Sequence, residues 1–487
     1  MVLSIPTPNY PIWDFDDQNA TYAATTNVST PTELNTAIAA ALANDNPGAP
    51  YYADIVWTAG DRTSDITLNF TASLPSSDGV FIRIRPSTQF TKMQGQWIFQ
   101  NGVSNVKFTD WQVEPESTDL GSGRKQCFRF ITNGGGRRMA VGRCRMGGFW
   151  RGTGSLQFCE GFGGYAMAGW NIAVSYSEGR NMFQFHEGYA GHFSAQFNLV
   201  TGLIDDFTYL AVRNASPHIA SAYLVGNVVG WNRDDPATGM GTSAYHCDFL
   251  QTGVNTDTSS DEYDAQVYGN ILVGDAYQTS PVQAGIIQTS NGTPNRLQTD
   301  WRDNVLLGCA GRGVWTIDRR FRFQRNIMGW PPIAGPVPTS VAPWNGGPYQ
   351  AYLNGNGNVA GGASSTPIID TFIAARSSAG WSDIPDPDIL ADNKAALGTA
   401  TAYDTVFPAM AGQVSFNSGS LMIPQYAGAM TLADVRNWIS GLYEPYTTGN
   451  GLGWSANGFN DPASWFASGG SGRPQFGNSP QLRITVA

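Results

Sequence analysis

The sequence of 487 residues is 41% hydrophobic but only 14% charged, and its formal net charge is −10. An acidic chain of this kind is a poor match for nucleic acid, since nucleic-acid-binding proteins present a basic surface. No apolar run approaches the roughly 18 residues of a transmembrane helix, and the five cysteines have neither disulfide-framework nor zinc-site spacing. We therefore expect no nucleic-acid partner, no membrane span, no metal and no cofactor.

The first predicted element is a helix that begins at Pro31 and ends near Leu42. Thr30 is its expected N-cap, and Glu33 follows three residues later, which is the spacing of a capping box. Pro31 suits the first helical position, because its missing N–H would have no partner there. An apolar stripe at helical spacing follows. Residues 1–50 are thus predicted to form an N-terminal arm and a cap helix.

Beyond residue 51 the apolar period changes to two, which is the period of β-strands. The alternation is clear at 66–70, 81–85 and 97–99. A second set of strand-like segments is predicted to form successive strands of one sheet. Its members are 128–130, 157–160, 184–187, 210–214, 248–251 and 286–288.

From about residue 105 to residue 330 a unit recurs in which Asn is followed by two or three apolar residues and Gly. Its asparagines are Asn198, Asn227, Asn270, Asn304 and Asn326. Asn tolerates a left-handed backbone at a tight corner, and stacked amides bond to one another. Residues 51–330 are therefore predicted to form a solenoid with an asparagine ladder at one corner. The alternative is a set of unrelated turn residues in another all-β fold.

Three segments resemble the pectin-lyase-like β-helix superfamily. Residues 28–42 resemble the helix that closes its apolar stack, the Asn units resemble its coils, and residues 245–251 resemble its H-x-D-hydrophobic-Q strand. The resemblance covers roughly residues 25–330 and implies an all-β fold, a right-handed single-stranded parallel β-helix. Since the superfamily includes polysaccharide lyases, glycoside hydrolases and phage tailspikes, the resemblance implies a carbohydrate partner without fixing a reaction.

Residues 331–487 are predicted to form a C-terminal linker with an oligomerisation or accessory region. Six prolines fall between 331 and 348, which is typical of a linker or a wrapping arm. A helix is predicted from about Leu432 to Tyr443. The final segment is rich in Gly, Asn, Ser and aromatic residues, which indicates packing on a neighbouring subunit.

Two pairs of residues are predicted to carry catalysis. Glu160 and Glu187 fall at equivalent positions of adjacent strands, and the strand spacing of about 4.8 Å approaches the roughly 5–5.5 Å between the carboxyl groups of a retaining glycosidase. His246 and Asp248 are two residues apart on one strand, so the carboxylate can orient the imidazole. The alternative for each pair is a hydrated polar position without chemistry.

Further polar residues are predicted to bind the substrate. Arg143 and Arg145 lie in a basic segment with Arg137 and Arg138, and planar guanidinium groups suit sugar carboxylates and sulfates. The alternative is a surface that pairs with a second subunit. The other predicted substrate-binding residues are His186, Arg213, Gln251 and Gln288.

Asp205 and Asp206 fall in a predicted loop, where binding residues concentrate, although a solvated turn is the simpler interpretation.

Three functions remain open from the sequence. The first is a tailspike-like virion protein, homotrimeric, that binds a bacterial surface polysaccharide and either depolymerises it or only retains it. The second is a cellular polysaccharide lyase or glycoside hydrolase acting on an acidic glycan, which the absence of an export signal in the first residues disfavours. The third is a non-catalytic structural virion protein. For the first and third we expect synthesis in a host cytoplasm, location in a virion, and contacts with other virion proteins.

Overall fold

The computed structural model describes most residues up to 329 and short segments beyond them. The described residues are 7–69, 74–100, 103–115, 124–131, 137–147, 159–163, 170–180, 182–189, 191–203, 205–211, 219–231, 248–254, 262–273, 283–289, 296–302, 304–307, 314–316, 320–324, 327–329, 351–353, 368–369, 372–373, 376–377, 380–381, 413–415 and 429–431. None of them belongs to a helix with the length and hydropathy of a membrane span.

Three long sheets contain nearly all the described strands. Within these residues, the first sheet consists of β1 (Ala24–Val28), β2 (Tyr51–Trp57), β4 (Val80–Pro86), β7 (Val106–Thr109), β10 (Arg137–Gly142), β13 (Trp170–Ser175), β16 (Gly191–Gln196), β19 (Ile219–Val225), β22 (Glu262–Tyr268), β25 (Arg296–Arg302), β28 (Arg320–Gln324) and β31 (Ile368–Ile369).

The second and third sheets are built from shorter strands. The second consists, as far as the structure describes the chain, of β5 (Thr91–Met93), β8 (Trp111–Val113), β11 (Arg145–Gly147), β14 (Glu178–Arg180), β17 (Leu199–Leu203), β20 (Val228–Trp231), β23 (Ile271–Val273), β26 (Val305–Leu307), β29 (Ile327–Gly329) and β32 (Phe372–Ile373). The third consists, over the same residues, of β3 (Ile66–Leu68), β6 (Trp97–Phe99), β9 (Gln126–Phe130), β12 (Glu160–Gly163), β15 (His186–Tyr189), β18 (Thr208–Ala211), β21 (Asp248–Val254), β24 (Gln283–Thr289), β27 (Val314–Thr316) and β30 (Ala351–Leu353).

From residue 80 onward each coil contributes one strand to each sheet in turn. All strand pairings within the three sheets are parallel, and each strand pairs with its counterparts in the neighbouring coils. This arrangement is an all-β parallel solenoid, and the predicted parallel β-helix is confirmed at this level. One short strand joins each sheet beyond residue 330, where the sequence predicts the start of the C-terminal region.

Two antiparallel pairs lie farther along the chain. They are β33 (Arg376–Ser377) with β34 (Gly380–Trp381), and β35 (Gln413–Ser415) with β36 (Ala429–Thr431). The helix predicted from Leu432 to Tyr443 lies outside the described residues.

The core of the solenoid is filled by side chains that point inward from all three sheets. Aromatic rings stack from coil to coil along the third sheet, as in Phe185 on Phe207 and Phe207 on Phe249, each pair 4.8 Å apart and nearly parallel. The predicted second set of strands is therefore confirmed as a single sheet. Ring pairs of this kind add about 0.5–1.5 kcal/mol each beyond the area they bury.

The helix α1 (Pro31–Leu42) begins where the sequence predicts. Thr30 Oγ1 accepts the N–H of Glu33 at 3.2 Å, and the Glu33 carboxylate reaches back to the N–H of Ser29 at 2.7 Å. The capping box is thus formed, although its carboxylate bonds one residue before the N-cap. Leu34 and Ile38 are buried in the main core, against the first coils of the solenoid.

The predicted asparagine ladder is confirmed for Asn198, Asn227, Asn270 and Asn304. Each of the last three presents Oδ1 to both the backbone N–H and the side-chain amide of the Asn in the preceding coil, at 2.9–3.1 Å. All four are buried. Asn326 lies outside the described residues.

The backbone at this corner differs from the prediction. The left-handed residue is not the asparagine but the residue before it, as in Phe197, Gly226 and Gly269, with φ between 56° and 64°. The Asn itself leaves the corner at the start of a second-sheet strand, with its amide turned inward. The ladder therefore depends on the hydrogen-bonding capacity of the amide rather than on the tolerance of Asn for left-handed backbone.

The N-terminal arm, defined here as residues 7–23, lies along the outer face of the first sheet. Gln266 Oε1 accepts the N–H of Asn9 at 2.6 Å, and its Nε2 donates to the carbonyl of Thr7 at 3.1 Å. Asn171 makes the same two-way contact with later arm residues. Since these amides stand on β22 and β13, the arm crosses several coils, and each amide binds the main chain of the arm.

Buried ion pairs fix the other end of the arm. Asp17 Oδ2 lies 2.5 Å from Arg143 Nη2, and its Oδ1 lies 2.9 Å from Lys107 Nζ, which also contacts Asp14 at 2.8 Å. Burial acts to raise the pKa of Asp17, but the hydrogen bond and charge of Arg143 and the charge of Lys107 outweigh it and hold that pKa well below its usual range.

Candidate functional site

A row of partly exposed side chains crosses the outer face of the third sheet. Glu187 of β15 pairs with Tyr209 of β18, and Tyr209 pairs with Gln251 of β21. Direct partners on neighbouring parallel strands lie about 4.8 Å apart and leave the same face. Glu187, Tyr209 and Gln251 are termed the outer row, and each is partly exposed.

A second carboxyl group reaches the end of this row from the preceding coil. Phe162 pairs with His186, which sets Gly163 beside Glu187. A β-carbon at position 163 would lie 2.6 Å from Glu160 Oε2, so the Glu160 carboxyl occupies the space above this glycine. Glu160 and Glu187 are therefore brought together, and Gly163 is what leaves room for them.

The predicted equivalence of Glu160 and Glu187 is wrong. Phe162, not Glu160, is the residue of β12 that stands one position before the partner of Glu187, because Phe162 pairs with His186. In that register Glu160 is level with Gln184, three residues before Glu187. The two carboxyl groups meet because the Glu160 side chain extends along its own strand.

Glu160 is almost completely buried, and it is held by two neighbours. Arg124 Nε contacts its Oε1 at 2.6 Å, and Gln126 Nε2 donates to its Oε2 at 3.0 Å. Burial raises the pKa of Glu160, the negative charge of Glu187 adds to this, and Gln126 and Arg124 oppose it; the net shift is upward. The guanidinium of Arg124 also lies 3.7 Å from the centre of the Phe183 ring, which fixes its position.

A ladder of acid and amide side chains lies at the entry to the third-sheet strands. Asp65 Oδ1 accepts the N–H of Gln96 at 2.8 Å, Gln96 Oε1 accepts that of Gln126 at 3.0 Å, and Asp206 Oδ1 accepts that of Asp248 at 2.9 Å. Each bond joins one coil to the next. In the coils of the outer row the ladder consists of Gln184, Asp206 and Asp248; Gln184 Nε2 donates to Asp206 Oδ2 at 3.5 Å, and Asp206 lies close to Glu187.

Asp206 and Asp248 are both buried, one coil apart. Burial raises the pKa of Asp206 well above its usual range, and the charges of Asp205, Asp248 and Glu187 raise it further. Like charges at this spacing do not both ionise readily, which is the same direction as the upward shift in the pKa of Asp206. The sequence interpretation of Asp205 and Asp206 as solvated turn residues is wrong for Asp206, which is a ladder member.

His186, predicted to bind substrate, instead points into the core. Its ring stacks on Phe193 at 3.7 Å and is 2% exposed. Burial lowers its pKa to about 3, so the imidazole is neutral. Glu187 follows it directly and therefore takes the outer face, since side chains of a strand alternate between faces.

Arg143 and Arg145, also predicted to bind substrate, are engaged by acids of the same chain. Arg143 contacts Asp17 of the arm and lies 3.3 Å from Asp110, while Arg145 lies 3.6 Å from the buried Glu178. The partners observed for both guanidinium groups are carboxylates of the same chain, and the return of the arm along the first sheet brings Asp17 to Arg143. Binding of a glycan or of a second subunit by these arginines stays a prediction.

The structure describes the side chains of some of the remaining predicted residues and not of others. Gln251 belongs to the outer row and Asp248 to the buried ladder. His246 and Arg213 lie outside the described residues, and of Gln288 only the backbone, in β24, is described. The sequence analysis missed Arg124, Gly163 and Tyr209. Tyr209 could have been predicted, because it occupies the position on the next strand that pairs with Glu187.

No protein-family model matches the chain, and a search of curated proteins found no significant relative. Among the residues that the structure describes, no group of His, Cys, Asp or Glu side chains has an arrangement that could hold a metal ion. The functional argument therefore depends on the outer row and the groups around it.

Proposed function

We propose that the chain is a polysaccharide-binding protein that hydrolyses a bacterial surface glycan at the outer row. The observation that carries the proposal is the Glu160 carboxyl above Gly163, beside Glu187 on the next coil. Because the Glu160 carboxyl fills the side-chain position of Gly163, one strand spacing of about 4.8 Å from Glu187, the two carboxyl groups approach the roughly 5–5.5 Å separation of a retaining glycosidase.

One carboxyl group is buried and the other is partly exposed, which is the difference that a general acid and a nucleophile require. Glu160 is buried and its pKa is raised, which suits a general acid that protonates the leaving oxygen. Glu187 is partly exposed and can meet the sugar as nucleophile. Tyr209 on the next strand offers a ring on which a sugar can stack, and Gln251 adds an amide for its hydroxyl groups.

Hydrolysis fits this site better than elimination. A lyase acting on an acidic glycan needs a base next to a group that neutralises the uronate. At the outer row a uronate would meet Glu160 and Glu187, and Arg124 is already paired with Glu160. We therefore infer a neutral glycan as the substrate, in place of the acidic glycan of the cellular-enzyme hypothesis.

The strand pairing suggests the direction of the polymer. Because Glu187 and Tyr209 are direct partners on β15 and β18, and Tyr209 is the partner of Gln251 on β21, a polymer that contacts all three would run across the strands of the third sheet. A tailspike-like virion protein, a right-handed coil closed by α1, and a homotrimer remain part of the proposal.

Incubation of the full chain with neutral and acidic surface polysaccharides tests this function. We expect shorter chains with new reducing ends from a neutral polymer and no near-ultraviolet absorbance from unsaturated ends. Unsaturated products would make the protein a lyase. Retention of a polysaccharide without shortening would make it a binder, and neither retention nor shortening would leave a structural spacer.

A further inference from the structure

A serine and a histidine on the outer face of the first sheet make a contact that the proposed glycosidase chemistry does not use. His192 of β16 and Ser221 of β19 are direct partners in the parallel register, and His192 Nδ1 lies 2.7 Å from Ser221 Oγ. The next partner along the row is Asp264 of β22. This contact lies on a different sheet from the outer row, beneath the N-terminal arm.

We propose that Ser221 is a nucleophile and His192 its general base, in a second site that removes small acyl groups from ester-linked substituents. The requirement is geometric: a hydroxyl within hydrogen-bond reach of an imidazole nitrogen on a rigid frame. Two adjacent coils supply that frame here, so neither side chain depends on a loop for its position.

The surroundings of His192 suit a base. Burial lowers the pKa of His192, which keeps the imidazole neutral and able to accept a proton at neutral pH. Tyr10 of the arm stacks on the ring at 4.8 Å, which fixes its plane. Asp264 does not orient the imidazole, because it lies beyond Ser221 and is engaged by Asn9 Nδ2 at 3.0 Å. The pair is therefore a dyad.

The reaction proceeds in two balanced steps. Ser221 Oγ attacks the ester carbonyl as its proton passes to His192 Nδ1; the bond to the alcohol oxygen then breaks, and that oxygen takes the proton. Water attacks the acyl-serine with His192 again as base, which releases the carboxylic acid and restores the hydroxyl. Water is the only co-reactant.

The size of the cleft limits the substrate. Tyr10 and Ile12 of the arm line the same small cavity as Ser221, and the space between arm and sheet holds about one water molecule. A small acyl group such as acetyl needs the smallest shift of Tyr10 to reach Ser221, and larger groups need a larger displacement of the arm. O-acetylated sugars are thus the natural substrate class, although the dyad does not depend on the glycosidase proposal.

Labelling with a fluorophosphonate probe, followed by peptide mapping, tests the dyad in the full chain. We expect label on Ser221, its loss in Ser221→Ala, at least a tenfold slower rate in His192→Gln, and a faster rate in Tyr10→Ala. Release of acetate from 4-methylumbelliferyl acetate should follow the same order. Ser194→Ala is the matched control, since Ser194 lies on the same face and bonds Gln196 instead of a histidine.

The folded state of each variant is checked by circular dichroism, so that loss of label is not mistaken for unfolding. Failure to label Ser221 in both the folded wild-type chain and folded Tyr10→Ala would overturn the proposal. Equal labelling in wild type and His192→Gln would also overturn it, because the serine would then not depend on its base.

Discussion

Asn198 donates both its backbone N–H and its side-chain amide to a single oxygen, Oδ1 of Asn227, at 3.1 and 2.9 Å. Asn227 repeats this contact with Asn270, so one side chain in each coil satisfies a buried backbone group of the coil before it. A buried N–H without a partner costs about 1–3 kcal/mol. The asparagine ladder therefore specifies the register of one coil against the next. The acid–amide ladder of the third sheet specifies it in the same way, through bonds to backbone N–H groups.

Replacing Asn227 with Ala should destabilise the solenoid strongly. The change removes four hydrogen bonds and leaves the N–H of Asn198 without its acceptor, so we expect the free energy of unfolding to fall by about 2–4 kcal/mol. Urea denaturation measures it. Asn44→Ala is the control, because Asn44 is exposed and bonds only within its helix end; a loss below 1 kcal/mol in Asn227→Ala would contradict the account.

Replacing Asp17 with Ala should release the arm. Arg143 and Lys107 would remain buried with only Asp110 and Asp14 as acidic partners, so the loss should be at most the about 3–5 kcal/mol of a broken buried ion pair. Limited proteolysis should then cut within residues 7–23 much faster than in wild type. Gln18→Ala, one residue away and exposed, is the control and should leave the cleavage rate unchanged. Equal rates in the two variants would show that the ion pairs do not hold the arm.

The same ion pairs should make the arm sensitive to acid. Because the folded pKa of Asp17 is lowered from its usual 3.8, the carboxylate stabilises the fold at pH values above 3.8. That contribution is lost as the pH falls below 3.8 and through the folded pKa. Cleavage of the arm by an acid protease should accelerate over this range in wild type and be independent of pH in Asp17→Asn. A flat wild-type profile would contradict the assignment.

Replacing Asp206 with Asn should stabilise the protein at alkaline pH. The pKa of Asp206 is raised in the folded state. Its contribution to the free energy of unfolding is therefore complete below the unfolded pKa near 3.8, and it declines as the pH rises through the folded pKa. Asn keeps the acceptor for the Asp248 N–H and carries no charge. We expect a higher melting temperature than wild type at pH 8 and little difference at pH 4. Asp65→Asn, at the exposed end of the ladder, is the control, and a lower melting temperature of Asp206→Asn at pH 8 would refute the argument.

The fold was predictable because its signals are local and repeated. The Asn units recur in the coils from Asn198 to Asn304, and Thr30 with Glu33 marks the helix start. The path of the arm was not predictable, since its contacts, such as Asn9 with Asp264, join residues far apart in the sequence.

The candidate site was only partly predictable, and register is the reason. Glu160, Glu187 and Gln251 were identified by residue type, but the face that each occupies depends on a single-residue count. In the structure, His186 points into the core and Glu187, the next residue, lies on the outer face. Gly163 carries no functional group, so its importance appears only when the Glu160 carboxyl is seen above it.

The most direct test of the central claim is the release of reducing ends from a bound neutral polysaccharide by Glu160→Gln and Glu187→Gln. We expect each variant to bind the polymer as wild type does and to cleave it at least about 100-fold more slowly, which is the usual contribution of a catalytic carboxyl group. Glu262→Gln, the same substitution on the first sheet, should cleave normally. Wild-type cleavage rates in both Glu160→Gln and Glu187→Gln would contradict the assignment of the outer row as the active site.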